Sequence, residues 1–87
     1  MTTLTESELE QVAADKVVDA RGSACPGPLL EAKKAIGGVT VGAVLEIWSG
    51  DPATKTDIAA WAAKVGHESL GATPADGYDR VFVRRAK

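Results

Sequence analysis

Asp19-Ala20-Arg21-Gly22-Ser23-Ala24-Cys25-Pro26-Gly27-Pro28, running on through Leu29–Ile36 to Gly37-Gly38, decides how the rest of the chain is read. Two prolines two positions apart ordinarily oppose a helix. At a helix start they do not, because the first four backbone N–H groups have no internal partner, so Pro26 near the first helical position and Pro28 in the first turn forfeit no hydrogen bond. Beyond them Leu29, Ala32 and Ile36 recur at spacings of three and four, with Glu31 early, Lys33 and Lys34 late, and Gly37 as the expected left-handed stop. The spacing predicts a helix whose N-terminus carries Cys25.

The short β-rich run Lys16–Ala20 precedes this helix, with Val18 and Ala20 on one side of a period-two pattern that breaks at Gly22. After it, Val44–Trp48 alternates Leu45 and Ile47 against Val44, Glu46 and Trp48, a second strand. Ser49-Gly50-Asp51-Pro52 ends that strand; Asp51 is placed to cap, and Pro52 to open, a second helix in which Ile58, Trp61, Ala62 and Val65 lie on one stripe up to Gly66. A strand over His67–Thr73, a turn at Pro74-Ala75-Asp76-Gly77 and an alternating strand over Tyr78–Arg85 make a closing hairpin. The order βαβαββ predicts an α/β (α+β) two-layer sandwich, two helices on one face of a four-stranded mixed sheet.

Eighty-seven residues allow one domain, read here as 16–87. Residues 1–15 read as an acidic extension, either a short helix or a frayed tail, with Thr5 and Glu8 spaced as a capping box and Leu9, Val12 and Ala13 as a thin apolar stripe. That stretch holds four acidic residues and no Lys or Arg, whereas the remainder carries ten basic against eight acidic groups. Neither half has the charge of a nucleic-acid footprint. No apolar run approaches the roughly 18 residues of a membrane span, and a polar, acidic start is unlike a signal peptide, so a cytoplasmic location is expected.

Cys25 is the only cysteine, and no Cys/His cluster has zinc spacing, which leaves no disulfide, no metal and no cofactor to expect. A thiol at a helix start meets the positive end of the helix dipole and free N–H groups, both favouring thiolate. The alternative is the ordinary fate of a free cysteine, a small buried apolar side chain. A thioredoxin-type dithiol cycle needs a second thiol at position 28, which is Pro, and hydrolase chemistry would have to recruit His67, which has no carboxylate beside it in sequence. Lys33, Lys34, Arg84, Arg85 and Lys87 read most simply as solvated charge, and Trp48, Trp61 and Tyr78 as packing.

Asp19 through Pro28 resembles the TusA/SirA-like sulfur-carrier family, whose hallmark is a Cys-Pro-x-Pro turn opening the first helix. The likeness extends to the basic pair Lys33 and Lys34 and to Asp51-Pro52-Ala53-Thr54 with Asp57-Ile58, and spans about Lys16 to Arg85. It implies a βαβαββ sandwich and a protein that carries sulfane sulfur on Cys25 as a persulfide, supported by Gly22, Pro26, Pro28, Asp51 and Pro52, with Lys33 and Lys34 as docking residues. The resemblance also implies a donor such as a cysteine desulfurase or rhodanese, an acceptor of DsrE-like or heterodisulfide-reductase-like type, and a place in tRNA thiolation or cytoplasmic sulfur oxidation. The sequence departs from relatives at Ala24 and Gly27, where basic and acidic residues are frequent, and at Ala62, where members of the tRNA pathway carry a second cysteine. Two readings from other classes stand beside it. One is a non-catalytic interaction or regulatory module whose Cys-Pro-Gly-Pro turn is only a helix cap; the other is a small RNA-binding domain, which the near-neutral charge disfavours.

Overall fold

β-Branched and bulky apolar residues at alternate positions fix the register of a sheet, since a slip by one residue would turn the whole apolar set to the wrong face. The computed structural model describes residues 8–9, 12, 14–23 and 27–87. Its elements are β1 (Lys16–Asp19), α1 (Gly27–Ile36), β2 (Val44–Ser49), α2 (Thr54–Val65), β3 (Glu68–Pro74) and β4 (Asp79–Arg84). The sheet order is β1-β2-β4-β3, with β1 parallel to β2 and the other two pairings antiparallel. The expected mixed sheet with two helices is the observed one.

Opposite pairs such as Leu45 with Val83 and Ile47 with Val81 line the face under the helices. There they join Ala20, Ala32, Ala35, Ile36, Val39, Ile58 and Ala62 in one buried cluster. The stripe foreseen for α2 is only partly buried: Ile58 and Ala62 are fully covered, Trp61 is half-buried, and Val65 is exposed. The left-handed stop at the end of α2 is Gly66, at φ 92°, whose N–H donates to the Ala62 carbonyl.

Three local expectations are corrected. Gly37 is not left-handed: α1 ends through tight i→i−3 bonds from Gly38 N–H to the Ala35 carbonyl and Val39 N–H to the Ile36 carbonyl, and the positive φ comes later, at Gly42. Asp51 does not cap α2 directly, since its carboxylate accepts from Ala53 N–H at 2.9 Å and closes a turn before the helix begins at Thr54. The third strand begins at Glu68 and breaks register between Ser69 and Gly71, so Leu70 sits in a bulge.

The sheet's second face is not bare. Val44, Leu70 and Phe82 form a separate buried cluster with Leu9, and Val12 and Ala14 pack against it. Asp15 continues this segment onto the sheet, donating its N–H to the Val44 carbonyl and accepting Val44 N–H on its carboxylate, both at 2.9 Å. Thr5 and Ala13 of the expected capping box and stripe lie outside the described residues. At the other terminus Arg85 is not a loose basic tail: its guanidinium donates to the Val39 carbonyl at 2.7 Å, and its backbone exchanges bonds with Gly42 and Ala43.

Ile58 joins the helix layer to the sheet with no exposed surface. Ile58→Ala is expected to cost about 2–5 kcal/mol, a lost side chain plus a cavity, read as a lower urea midpoint at unchanged slope.

Candidate functional site

Parallel pairing of β1 with β2 puts the ends of both strands, and the turns leading from them into α1 and α2, at one edge of the molecule. The ladder runs one step past β1, with Ala20 N–H donating to the Trp48 carbonyl at 2.9 Å, and Ser23 N–H then turns back onto the Ala20 carbonyl. The two turns touch: a Cβ on Gly50 would stand 3.4 Å from the Arg21 carbonyl oxygen, in van der Waals contact with it. Between them lies an open cleft of about 400 Å³ lined by Arg21, Gly22, Ser23, Gly50, Asp51 and Pro52.

Gly22 is exposed with open space around it, and Pro28 is buried in the first turn of α1. Gly27 opens the helix against Ser23, whose Cβ would meet an added Cβ at 2.8 Å. Asp51 and Pro52 lie across the cleft, where the Ser49 hydroxyl binds Asp51 N–H at 3.1 Å and the Thr54 hydroxyl at 2.7 Å, fixing the turn into α2. Cys25 and Pro26 lie outside the described residues. Lys33 and Lys34 are exposed in the last turn of α1, at the far end of the helix from the cleft. The structure thus brings Gly22, Asp51 and Pro52 together and leaves the lysine pair apart from them.

Sequence reasoning missed the anchor of the first turn. Arg21 donates to Asp19 through Nε at 2.9 Å and Nη2 at 2.7 Å, and its backbone N–H adds a bond at 3.2 Å. Those donors hold the Asp19 carboxyl down to about 2, well below the usual carboxylate range. The same guanidinium lies 5.0 Å from the ring centroids of both Trp48 and Tyr78, which are 5.5 Å from each other. Trp48 Nε1 in turn donates to Glu46, a buried carboxylate that also accepts from Arg80 Nε at 2.8 Å. Trp48 and Tyr78 are therefore more than packing; they flank the arginine that follows β1. The available signal was the i, i+2 spacing of Asp19 and Arg21 at a strand end.

A second, larger concavity of about 540 Å³, lined by Asp15, Lys16, Gly38, Val39, Thr40, Gly42 and Ala43, lies at the opposite end of the parallel strands. Among the described residues no three His, Cys, Asp or Glu side chains converge as metal ligands. His67 is committed elsewhere: its Nδ1 accepts Ala86 N–H at 3.1 Å and its ring meets the edge of Trp61. Burial, then the charges of Arg85 and Lys87, push its pKa down.

Two strand-to-helix turns that meet at a short cleft define a small two-layer α/β domain with its candidate site at one edge. The family model for Sulfurtransferase TusA matches residues 16–85. A relative from Archaeoglobus fulgidus is 45% identical over 71 residues, 82% of this chain and 97% of its own length. The sulfur carrier proteins TusA of Pseudomonas entomophila and Allochromatium vinosum are 32% and 31% identical, over 82% and 83% of this chain and 89% and 95% of theirs. A SirA-like protein from Desulfitobacterium hafniense shares the fold at TM-score 0.72 and 24% identity, covering 83% of this chain and 99% of its own. The chain belongs to the TusA sulfurtransferase family, and a sulfur-carrier role comes with that membership.

The close approach at Gly27 generates one expectation: Gly27→Ala pushes Ser23 away and destabilises by about 1–3 kcal/mol, near the lower end because Ser23 is exposed, as read by denaturant melts. His67 generates another. Its folded pKa lies below 6.5, so the unfolded chain binds more protons as the pH drops through that value, and stability is lost on acidification through 6.5 toward the folded pKa. In His67→Gln this part of the pH slope should vanish from thermal melts taken across that window.

Proposed function

We propose that the chain accepts sulfane sulfur on Cys25 as a persulfide and passes it to a partner protein. The observation that supports this reading most is the start of α1: the helix begins at Gly27 with Pro28 in its first turn, so in sequence Cys25 comes two positions before the helix and two after Ser23, which lines the cleft. Free N–H groups and the helix dipole at such a position favour an anionic sulfur. Pro26 and Pro28 each fix their own φ in the approach to the helix, Gly22 leaves room for a partner to approach, and Asp51 with Pro52 lines the cleft.

The chemistry balances without oxidant, metal or cofactor. Cys25 thiolate attacks the outer sulfur of a donor persulfide; a new S–S bond forms, the donor's S–S bond breaks, and the donor leaves as thiolate. Delivery is the reverse in kind: an acceptor thiolate takes the outer sulfur, and Cys25 departs as thiolate. A low thiol pKa serves both halves, keeping Cys25 ionised for attack and making it a good leaving group. The donor in this reading is a cysteine desulfurase or rhodanese-like protein, and Lys33 and Lys34 form a docking patch at the far end of α1 from the cleft.

Ala62, fully buried in α2, stands where tRNA-pathway relatives carry a second cysteine, which favours DsrE-like or heterodisulfide-reductase-like acceptors and cytoplasmic sulfur oxidation over tRNA thiolation. No helix among the described residues is long and apolar enough to cross a membrane.

The test is intact mass after incubation with a sulfane-sulfur donor protein. The chain should gain about 32 Da per sulfur in a form that reductant reverses, as expected for a reversible cap on a reactive thiol, and Cys25→Ala should gain nothing. Undiminished transfer to an acceptor by Cys25→Ala would overturn the proposal in favour of the interaction module.

A further inference from the structure

The family match begins at Lys16, and a relative aligned over 97% of its own length meets only 71 residues of this chain. Leu9, Val12, Ala14 and Asp15, which precede that match, nevertheless pack on the domain. Leu9 is fully buried against Val44, Leu70 and Phe82, on the sheet face opposite the helices, with Val12 and Ala14 beside it. Asp15 ties the segment to β2 through its paired bonds with Val44. The cluster it completes shares no residue with the one beneath the helices, so the main core does not depend on it.

Charge matches shape. The segment is purely acidic, with Glu8 exposed next to the buried Leu9, while residues 16–87 carry an excess of basic groups. Arg80 and Arg84 project from the same sheet face as Phe82, by the alternation along β4; Arg80 is ion-paired with the buried Glu46 at 2.8 Å, while Arg84, 41% exposed with Glu68 3.6 Å away, is the one open to a competing carboxylate. Opposite charge around a small apolar anchor guides a segment onto such a surface and sets its orientation. An exposed patch of Val44, Leu70 and Phe82 would otherwise be an adhesive surface.

We propose that the face formed by Val44, Leu70 and Phe82 is an interaction surface for a short acidic amphipathic segment with a leucine anchor, and that Leu9, with Val12, Ala14 and Asp15, occupies it in cis. A partner that docks on this face presents the same chemistry, a leucine flanked by glutamates, and displaces Leu9. The surface lies on the opposite side of the sheet from the helices and is independent of the role of Cys25.

The probe is a fluorescein-labelled peptide of residues 1–15, titrated by anisotropy into the full chain and into its Leu9→Asp variant. The variant should bind the peptide at least tenfold more tightly than the unaltered chain, whose face is already filled. A peptide carrying the same Leu9→Asp change should bind neither, which separates the leucine anchor from charge alone. A folded variant that binds no better than the unaltered chain overturns the proposal. Native-state hydrogen exchange on the unaltered chain tests it even where the variant does not fold, because Val44 N–H reports the bond to Asp15. That amide should exchange through an opening less sensitive to denaturant than the amides of central β4; exchange only through global unfolding would overturn the idea of a displaceable occupant.

Discussion

The parallel pairing of β1 with β2 is the constraint on which the rest depends. A parallel pair cannot be joined by a hairpin, so the chain must cross over, and α1 is that crossover. Because both strands point the same way, the turn into α1 and the turn into α2 emerge side by side, and the backbone of one passes within Cβ distance of Gly50 in the other. A cleft at the carboxyl ends of parallel strands follows from topology before any side chain is chosen. An antiparallel β1 would send the two turns to opposite ends and leave no shared wall.

What holds the first turn in place is a charged residue at the surface, which sets this edge apart from the core. Arg21 makes bidentate bonds to Asp19 and lies near two rings, so its guanidinium is held along its Nε/Nη2 edge and against Trp48 and Tyr78. An exposed ion pair alone is worth little. Here the same side chain binds β1, β2 through Trp48, and the hairpin through Tyr78, and its backbone supplies the carbonyl that Gly50 meets. Lysine could keep the charge but not the fork or the flat stacking surface.

Periodicity carried the sheet and both helices, because the residues that make those elements also make the main core: Leu45, Ile47, Val81 and Val83 at period two, and Ala32, Ile36, Ile58 and Ala62 at spacings of four. It failed where tertiary contact overrides local pattern. The bulge at Leu70 spoils alternation in β3, and Asp51 closes a turn that delays α2 to Thr54. Leu9 is a lone large apolar residue among glutamates, and only a distant sheet face explains its burial. Of the candidate site, Gly22, Asp51 and Pro52 were legible through the two turn sequences, whereas the Arg21 node was not, since its rings come from positions 48 and 78. His67 was legible only as a residue past a helix end; its bond to Ala86 depends on where the terminal strand finishes.

The two faces of the sheet divide the work differently. The helix-facing cluster is closed by elements that the family match spans, and it sets the geometry of the cleft edge through Ala20 and Ile47. The second face is closed by a segment outside that match, through a few side chains and one ladder pair at Asp15. Opening such a cover costs far less than opening the main core, because the area uncovered is small and the ladder of four strands remains intact. A single domain of this size can therefore keep the cleft rigid while exchanging what covers its other side, and the two sides meet through β2 and β4, whose alternate residues face each of them.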